Sequence, residues 1–398
     1  MRALLLEAIH DDAAFVLRDA GFEVERLDRA LGEDELVAML PGVAVLGLRS
    51  NTTLTARAVA AATELKAVGA FCIGTNQIDL VAASAAGVAV FNAPFSNTRS
   101  VVELALSELI ALTRRLTDKN ADMHRGVWDK SAVGSHEVRG RRLGIVGYGN
   151  IGSQLSVLAE ALGMRVLFFD TADRLALGNA RRCGTLDELL AESDVVTLHV
   201  DGRSSNSGIF GEAQFTRMRS GSIFLNLSRG FVVDHEALRS HILSGHITGA
   251  AVDVFPVEPK AKGEEFVSVL RGLPNVILTP HVGGSTEEAQ QDIGNFVAGK
   301  LRDYVAEGAT SLSVNLPPVA LTREPHQTRL LLLHVNTPGV LATVNGLLAE
   351  HGVNIEGQLL STRGSHGYVV TDLAEAPTPE VLAALEALPE TVRLQVLR

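Results

Sequence analysis

Cysteine is nearly absent from this chain: Cys72 and Cys183 are the only two among 398 residues, and no spacing pairs them. A disulfide framework and a Cys-ligated zinc site are excluded, and no metal site is expected. The composition fits a reducing cytoplasm. Positive charge is also short. Lys and Arg number 35 against 46 Asp and Glu, a formal net charge of −11, which argues against a nucleic-acid surface. No apolar run approaches the roughly 18 residues of a membrane span. The opening stretch Met1–Glu7 is too short in apolar residues for a signal peptide. Aromatics make up 5%; Ala, Val, Leu and Gly dominate instead, as in buried parallel strands and close-packed helices. The length predicts two or three domains.

What is present begins with glycine. Residues 144–152 read Gly-Ile-Val-Gly-Tyr-Gly-Asn-Ile-Gly, and Asp170 closes the next apolar run, Val166-Leu167-Phe168-Phe169. The pattern predicts a strand, a tight turn, a helix over Ser153–Leu162 and a second strand ending in a carboxylate. Gly147 allows the turn, Gly149 lets a pyrophosphate approach the backbone, and Gly152 lets the helix pack on the strand. The helix start offers free N–H groups and a positive dipole end to phosphates. Asp170 can accept hydrogen bonds from both ribose hydroxyls and would repel a 2′-phosphate, so NAD is expected over NADP. The bland alternative is glycines serving geometry alone; the downstream aspartate weighs against it.

Strand-like and helix-like segments alternate through residue 315. Early strands are expected at Ala3–Leu6, Val43–Leu48, Ala67–Cys72 and Val88–Phe91, with a helix at Asp12–Ala20. Thr98–His124 reads as one unbroken connecting helix. Later strands are expected at Val195–His199, Ser222–Leu227, Gly249–Val254 and Val276–Leu278. Ligands of open parallel sheets bind outside the carboxyl ends of the strands. Another helix, Ser285–Ala306, is expected to cross back to the first unit. Residues 316–327 carry three prolines and read as a linker. Beyond them come a strand (Arg329–Val335), a helix capped by Thr337 with Pro338 at its first position, and two strands around Arg363-Gly364-Ser365. A helix (Pro379–Leu388) and a final strand (Val392–Leu397) complete the split β-α-β-β-α-β pattern. The fold class is α/β: two Rossmann-like doubly wound domains and a ferredoxin-like C-terminal domain. The expected boundaries are 1–97 with 285–315 for a discontinuous substrate domain, 98–284 for the NAD domain, and 328–398 for the last.

Hydride transfer at an alcohol or ketone needs a proton partner, and histidine suits this near neutral pH. His281 follows a strand and a proline and precedes Gly283-Gly284-Ser285. A carboxylate would orient its ring and favour its charged form. Glu258, between two prolines after another strand end, is the candidate, though an exposed loop glutamate would look the same. Arg229, in Ser228-Arg229-Gly230, can pair bidentately with a substrate carboxylate; the alternative is a surface arginine at a helix start.

These segments resemble the D-isomer-specific 2-hydroxyacid dehydrogenase family from end to end. The resemblance rests on Ile73–Gln77, Asn92–Val101, the glycine motif, Ser228-Arg229-Gly230, Ala251–Pro256 and Thr279–Thr286. It implies that His281 exchanges the proton, Glu258 holds it, and Arg229 grips the carboxylate. It lays the cofactor along Asn150 and Ile151, with Leu227, Ser228, Arg229, Asp253, His281, Val282, Gly283 and Gly284 lining the nicotinamide half. It points to members that oxidise D-3-phosphoglycerate, with a side activity on 2-oxoglutarate. The substrate phosphate falls to Arg49, assisted by Asn97 and Arg99; some relatives carry a second arginine where Asn51 stands here. The last domain resembles an ACT module, implying L-serine inhibition through His334, Asn336 and Asn354, between paired subunits of a homotetramer. Two other readings stay open: a dehydrogenase of hydroxypyruvate, glyoxylate or lactate, and a non-catalytic NAD-sensing binding protein.

Overall fold

The computed structural model describes residues 1–259, 263–322 and 327–397. They fall into two compact units, Met1–Ser96 with Gln290–Arg398, and Asn97–Ala289. Among the described residues no helix is long and apolar enough to cross a membrane.

The first unit opens with strands and helices in alternation: β1 (Arg2–Leu6), α1 (Asp11–Asp19), β2 (Glu23–Leu27), α2 (Glu33–Met39), β3 (Val43–Leu48), α3 (Ala56–Ala61), β4 (Ala67–Ala70), α4 (Leu80–Ala85) and β5 (Ala89–Asn92). The strands form one parallel sheet in the order β2-β1-β3-β4-β5. Every residue of the central β3 is buried, as helices on both faces require. The edge strand β2, Glu-Val-Glu-Arg-Leu, buries none of its residues, so no apolar pattern announces it.

The second unit contains α5 (Thr98–Thr113), α6 (Leu116–His124), β6 (Arg142–Val146), α7 (Asn150–Ala161), β7 (Arg165–Phe169), β8 (Arg181–Arg182), α8 (Leu186–Glu192), β9 (Val195–Leu198), α9 (Glu212–Arg217), β10 (Ser222–Asn226), α10 (His235–Leu243), β11 (Ile247–Val252) and β12 (Val276–Leu278). Its parallel sheet runs β12-β11-β10-β9-β6-β7-β8. The chain leaves β6 toward β7 on one side and returns to β9 on the other, which makes a crevice at the carboxyl ends. The stretch Thr98–His124 is not one helix. It breaks at Arg115, whose φ is +50° and whose guanidinium pairs with Asp118 at 2.8 Å. The apolar stripe of α5 ends at Leu112, and α6 buries nothing. With no core contact to continue it, the helix turns away.

Helix α11 (Glu287–Glu307) gives Ile293, Val297, Leu301 and Tyr304 to the core of the first unit. Then come β13 (Thr328–Val335), α12 (Val340–Glu350), β14 (Ile355–Arg363), β15 (His366–Leu373), α13 (Pro379–Glu386) and β16 (Thr391–Leu397), an antiparallel sheet ordered β14-β15-β13-β16. Helix α12 starts later than Thr337 and Pro338 suggest. Gly339, at φ +95°, is its N-cap, and that left-handed residue keeps Pro338 in the turn.

Strand β13 alternates between two cores. Leu330 and Leu332 face α12 and α13; Leu331 and Leu333 pack with Phe91, Val297 and Tyr304. Between them Arg329 is fully buried. Its Nε and Nη2 donate to the two Asp372 carboxylate oxygens at 2.6 and 2.8 Å, and its remaining donors reach the carbonyls of Glu307, Leu321 and Thr322. The Glu307 carbonyl is one of those that the end of α11 leaves without a helical partner. Of the stretch expected as a linker, residues 323–326 lie outside the described residues. Leu316 and Val319 in it are 0% and 2% exposed, so its first half is packed rather than free.

Candidate active site and effector residues

The glycine turn has the geometry a dinucleotide needs. Gly147 sits at φ +91°, and a Cβ there would lie 2.5 Å from the His199 carbonyl oxygen. A Cβ on Gly152 would strike the Gly147 carbonyl, whereas one on Gly149 would meet nothing. Gly149 is the N-cap of α7, which begins at Asn150 and Ile151, so a phosphate can approach open space and the helix's free N–H groups. At the end of β7 Asp170 accepts from the N–H groups of Tyr148 and Ala172, both at 2.8 Å. That fixes the carboxylate at the position expected for the ribose, with Arg174 Nε 3.6 Å away.

The residues expected to be catalytic stand at the ends of β10, β11 and β12. Asn226 Oδ1 accepts from the N–H and hydroxyl of Ser228, and its Nδ2 donates to the Arg229 carbonyl. This amide shapes the turn that presents Arg229. Leu227 and Ser228 are buried there. A Cβ on Gly230 would collide with the Phe255 carbonyl, so glycine lets the Glu258 loop come close. Glu258 Oε1 accepts the Phe255 N–H at 3.0 Å. Its Oε2 lies 2.9 Å from His281 Nδ1.

That contact couples two titrations. The hydrogen bond to Glu258 raises the His281 pKa above the ordinary value; burial opposes it, and the charges of Glu258 and Asp253 reinforce it. Burial pushes Glu258 up, but its hydrogen bonds to His281 and the Phe255 N–H and the nearby positive charges outweigh that and hold it low. The pair favours imidazolium beside carboxylate, with Nε2 left for a ligand.

Asp253 stands behind the histidine loop. It is 1% exposed; Oδ1 accepts from the Thr279 hydroxyl and the Val282 N–H, and Oδ2 from the Gly283 N–H, at 2.6 to 2.9 Å. Its carboxylate therefore holds the loop that a cofactor would touch. His281 itself is left-handed, at φ +55°, with its N–H on the Asp253 carbonyl. Gly283 accepts from the Ser100 hydroxyl at 2.6 Å, and Gly284 packs on Asn97.

Glu108, on the buried face of α5, escapes sequence reasoning because its neighbours form an ordinary apolar stripe. It is 3% exposed, and neither carboxyl oxygen has a hydrogen-bond partner among the described residues. Burial first, and the Asp253 charge second, push it up to about 8. Asn226 carried a legible signal: an asparagine at a strand end, two residues before serine, forms an Asx turn.

The expected phosphate ligands are placed separately. Arg49 follows β3 in the first unit, half-buried. Asn97 and Arg99 belong to the second, where Arg99 is exposed and pairs with Glu103 at 2.6 Å.

The three residues expected to hold an effector do not meet within one chain. His334 is 3% exposed, with Nδ1 2.8 Å from the Val335 carbonyl oxygen and Nε2 unpartnered among the described residues. Asn336 follows it, donating to the Gly364 carbonyl. Asn354 precedes β14 at the opposite end of the sheet. The register aligns Ile355 with Leu373 and Thr328, and Arg363 with His366 and Val335. Those ends are about 23 Å apart at the usual rise per residue.

Residues 106–283 match the family described as D-isomer specific 2-hydroxyacid dehydrogenase, NAD binding domain. Residues 330–393 match an ACT domain like that of the AHAS small subunit. A Haemophilus influenzae protein named D-3-phosphoglycerate dehydrogenase is 49% identical over all of this chain and 97% of its own length. One of the same name from Escherichia coli is 48% identical with the same coverage. Among solved structures, D-2-hydroxyisocaproate dehydrogenase superposes with a TM-score of 0.72 at 26% identity, over 79% of this chain and all of its own. A D-lactate dehydrogenase from Aquifex aeolicus, solved with NAD and lactic acid, gives 0.66 at 25%, over 76% and 95%.

Proposed function

The chain belongs to the NAD-dependent D-isomer-specific 2-hydroxyacid dehydrogenases, and from that premise we propose that it oxidises D-3-phosphoglycerate to 3-phosphohydroxypyruvate. The observation that carries the reading is the His281–Glu258 pair beside Arg229, in a chain that matches relatives of that named activity over its whole length. NAD, held along the Gly147–Ile151 turn with Asp170 at its ribose, would supply the acceptor for the hydride leaving C2. His281 Nε2 removes the proton of the C2 hydroxyl; in the reverse direction the imidazolium returns it to the keto oxygen. Glu258 keeps Nδ1 occupied and stabilises the charged ring. Arg229 holds the carboxylate and polarises the adjacent carbonyl. Arg49 receives the phosphate, with Asn97 as a further donor. Arg99 joins only by leaving Glu103. The same grip suits 2-oxoglutarate, another extended dianion, as a secondary substrate.

L-Serine is the proposed effector. Asn336 and Asn354 lie at opposite ends of one antiparallel sheet. A twofold pairing of two copies sets the His334–Asn336 end of one against the Asn354 end of the other. Asparagine supplies donors for the carboxylate and acceptors for the ammonium. This pairing, with a second interface, builds the proposed cytoplasmic homotetramer. The deciding experiment is NADH oxidation with 3-phosphohydroxypyruvate, 2-oxoglutarate and glyoxylate, each with and without L-serine. Highest kcat/KM for the phosphorylated acid, and suppression by serine, support the reading. Preference for glyoxylate transfers the chain to a simpler 2-hydroxy acid, and no turnover makes it a sensor.

A further inference from the structure

Directly after β1 the backbone of Glu7 and Ala8 turns left-handed, at φ +63° and +51°. Neither is glycine, so the geometry is held against its own preference. Glu7 is 7% exposed, and its carboxylate turns onto the loop that follows β3. Oε1 accepts the N–H of Thr52 at 2.8 Å and of Arg49 at 3.2 Å; Oε2 accepts the N–H of Asn51 at 3.0 Å. From the other side Gln77 Nε2 donates to the Arg49 carbonyl at 2.6 Å. The Leu31 N–H donates to the Thr52 hydroxyl at 3.3 Å. Converging N–H groups are an anion site in their own right. Here the anion comes from the same chain. Among the described residues the Arg49 guanidinium has no hydrogen-bond or ion-pair partner, although its N–H and carbonyl are both held.

We propose that Glu7 is a positioning residue for the substrate's distal anion. It fixes the Arg49–Thr52 loop before substrate arrives. By occupying the amides of Arg49, Asn51 and Thr52, it leaves the anion to side chains, chiefly the Arg49 guanidinium. A loop ordered in advance spends no binding free energy on ordering. The inference rests on the assignment of Arg49 to the substrate phosphate. A glutamine at residue 7 offers one acceptor and turns its NH2 toward an N–H group, so at least one amide loses its partner and the loop loosens.

The test compares wild type, Glu7→Gln and Arg49→Ala with 3-phosphohydroxypyruvate and with glyoxylate, which has no distal anion. Glu7→Gln should raise KM for the phosphorylated acid about tenfold or more, with kcat within about twofold and glyoxylate kinetics unchanged. An equal KM rise for both substrates, or a fall in kcat alone, overturns the proposal. If Arg49→Ala is selective for the phosphorylated acid and Glu7→Gln is not, Glu7 loses its role while the Arg49 reading stands. If Arg49→Ala affects both substrates alike, the parent assignment falls and the proposal with it. Hydrogen exchange on the wild-type protein needs no variant. The amides of Arg49, Asn51 and Thr52 should be protected without substrate and unchanged by it; protection that appears only with 3-phosphohydroxypyruvate overturns the proposal.

Discussion

Oε2 of Glu258 lies 2.9 Å from Nδ1 of His281, which leaves Nε2 as the nitrogen for the substrate oxygen in the proposed reaction. The hydrogen bond raises the histidine pKa. Oxidation needs neutral His281, so its kcat/KM climbs as pH rises through that raised value. Reduction needs the imidazolium and falls over the same range. In Glu258→Gln the carboxylate is gone, and both limbs should move to lower pH. Profiles of kcat/KM in each direction check this; unmoved limbs would show that Glu258 does not tune the ring.

Arg229 is presented by the Asn226 turn with its backbone fixed. Lysine keeps the charge but loses the planar fork. Arg229→Lys should lower kcat/KM on the order of a hundredfold, while the NADH dissociation constant, read by fluorescence titration, stays put.

Asp170 is locked by two backbone N–H groups, with Arg174 beside it. Removing the carboxylate takes away the repulsion of a 2′-phosphate and leaves the guanidinium to attract it. Asp170→Ser should shift the ratio of kcat/KM for NADP over NAD upward by on the order of a hundredfold, measured with the two cofactors side by side.

Glu108 carries a proton in the folded protein up to about pH 8, whereas in the unfolded chain it ionises near the usual carboxylate value. The folded state thus binds the extra proton, and stability falls as pH rises from about 4.5 to about 8, then levels. Glu108→Gln removes that loss. Its unfolding free energy, read by denaturant titration, should pull ahead of wild type across this window, by on the order of a few kcal/mol at the upper end. A constant offset across the window would mean that the carboxyl does not titrate there.

The Arg329–Asp372 pair is buried on both sides. Arg329→Met leaves Asp372 as an uncompensated buried charge and should cost about 3–5 kcal/mol. Replacing both by apolar residues should recover part of the loss, as read by denaturant unfolding.

The sequence makes the parallel sheets legible because fully buried strands are continuous apolar runs, as in β3. It hides β2, which is a polar edge, and the break at Arg115, where a left-handed residue interrupts a periodic stretch. The glycine turn is readable because each glycine meets a distinct steric demand. Glu108 and Glu7 are not, since a lone glutamate in an apolar run carries no pattern; Asp253, whose charge acts on Glu108, is 145 residues away, and the N–H groups that Glu7 accepts are 42 to 45 away. Long-range pairing of that kind is settled by the fold. The separation of Asn336 from Asn354 is likewise a matter of strand register, invisible until β13, β14 and β15 are aligned.

Leu331, Leu333, Tyr368 and Val370 of the C-terminal sheet complete the same core as Phe91, Val297 and Tyr304. The C-terminal module is therefore a wall of the first unit, not a detachable cassette. A protein cut after Leu321 would be born with one flank open and greasy, prone to clump. Designers who want a version without the proposed serine response should change His334, Asn336 and Asn354 and leave the module in place.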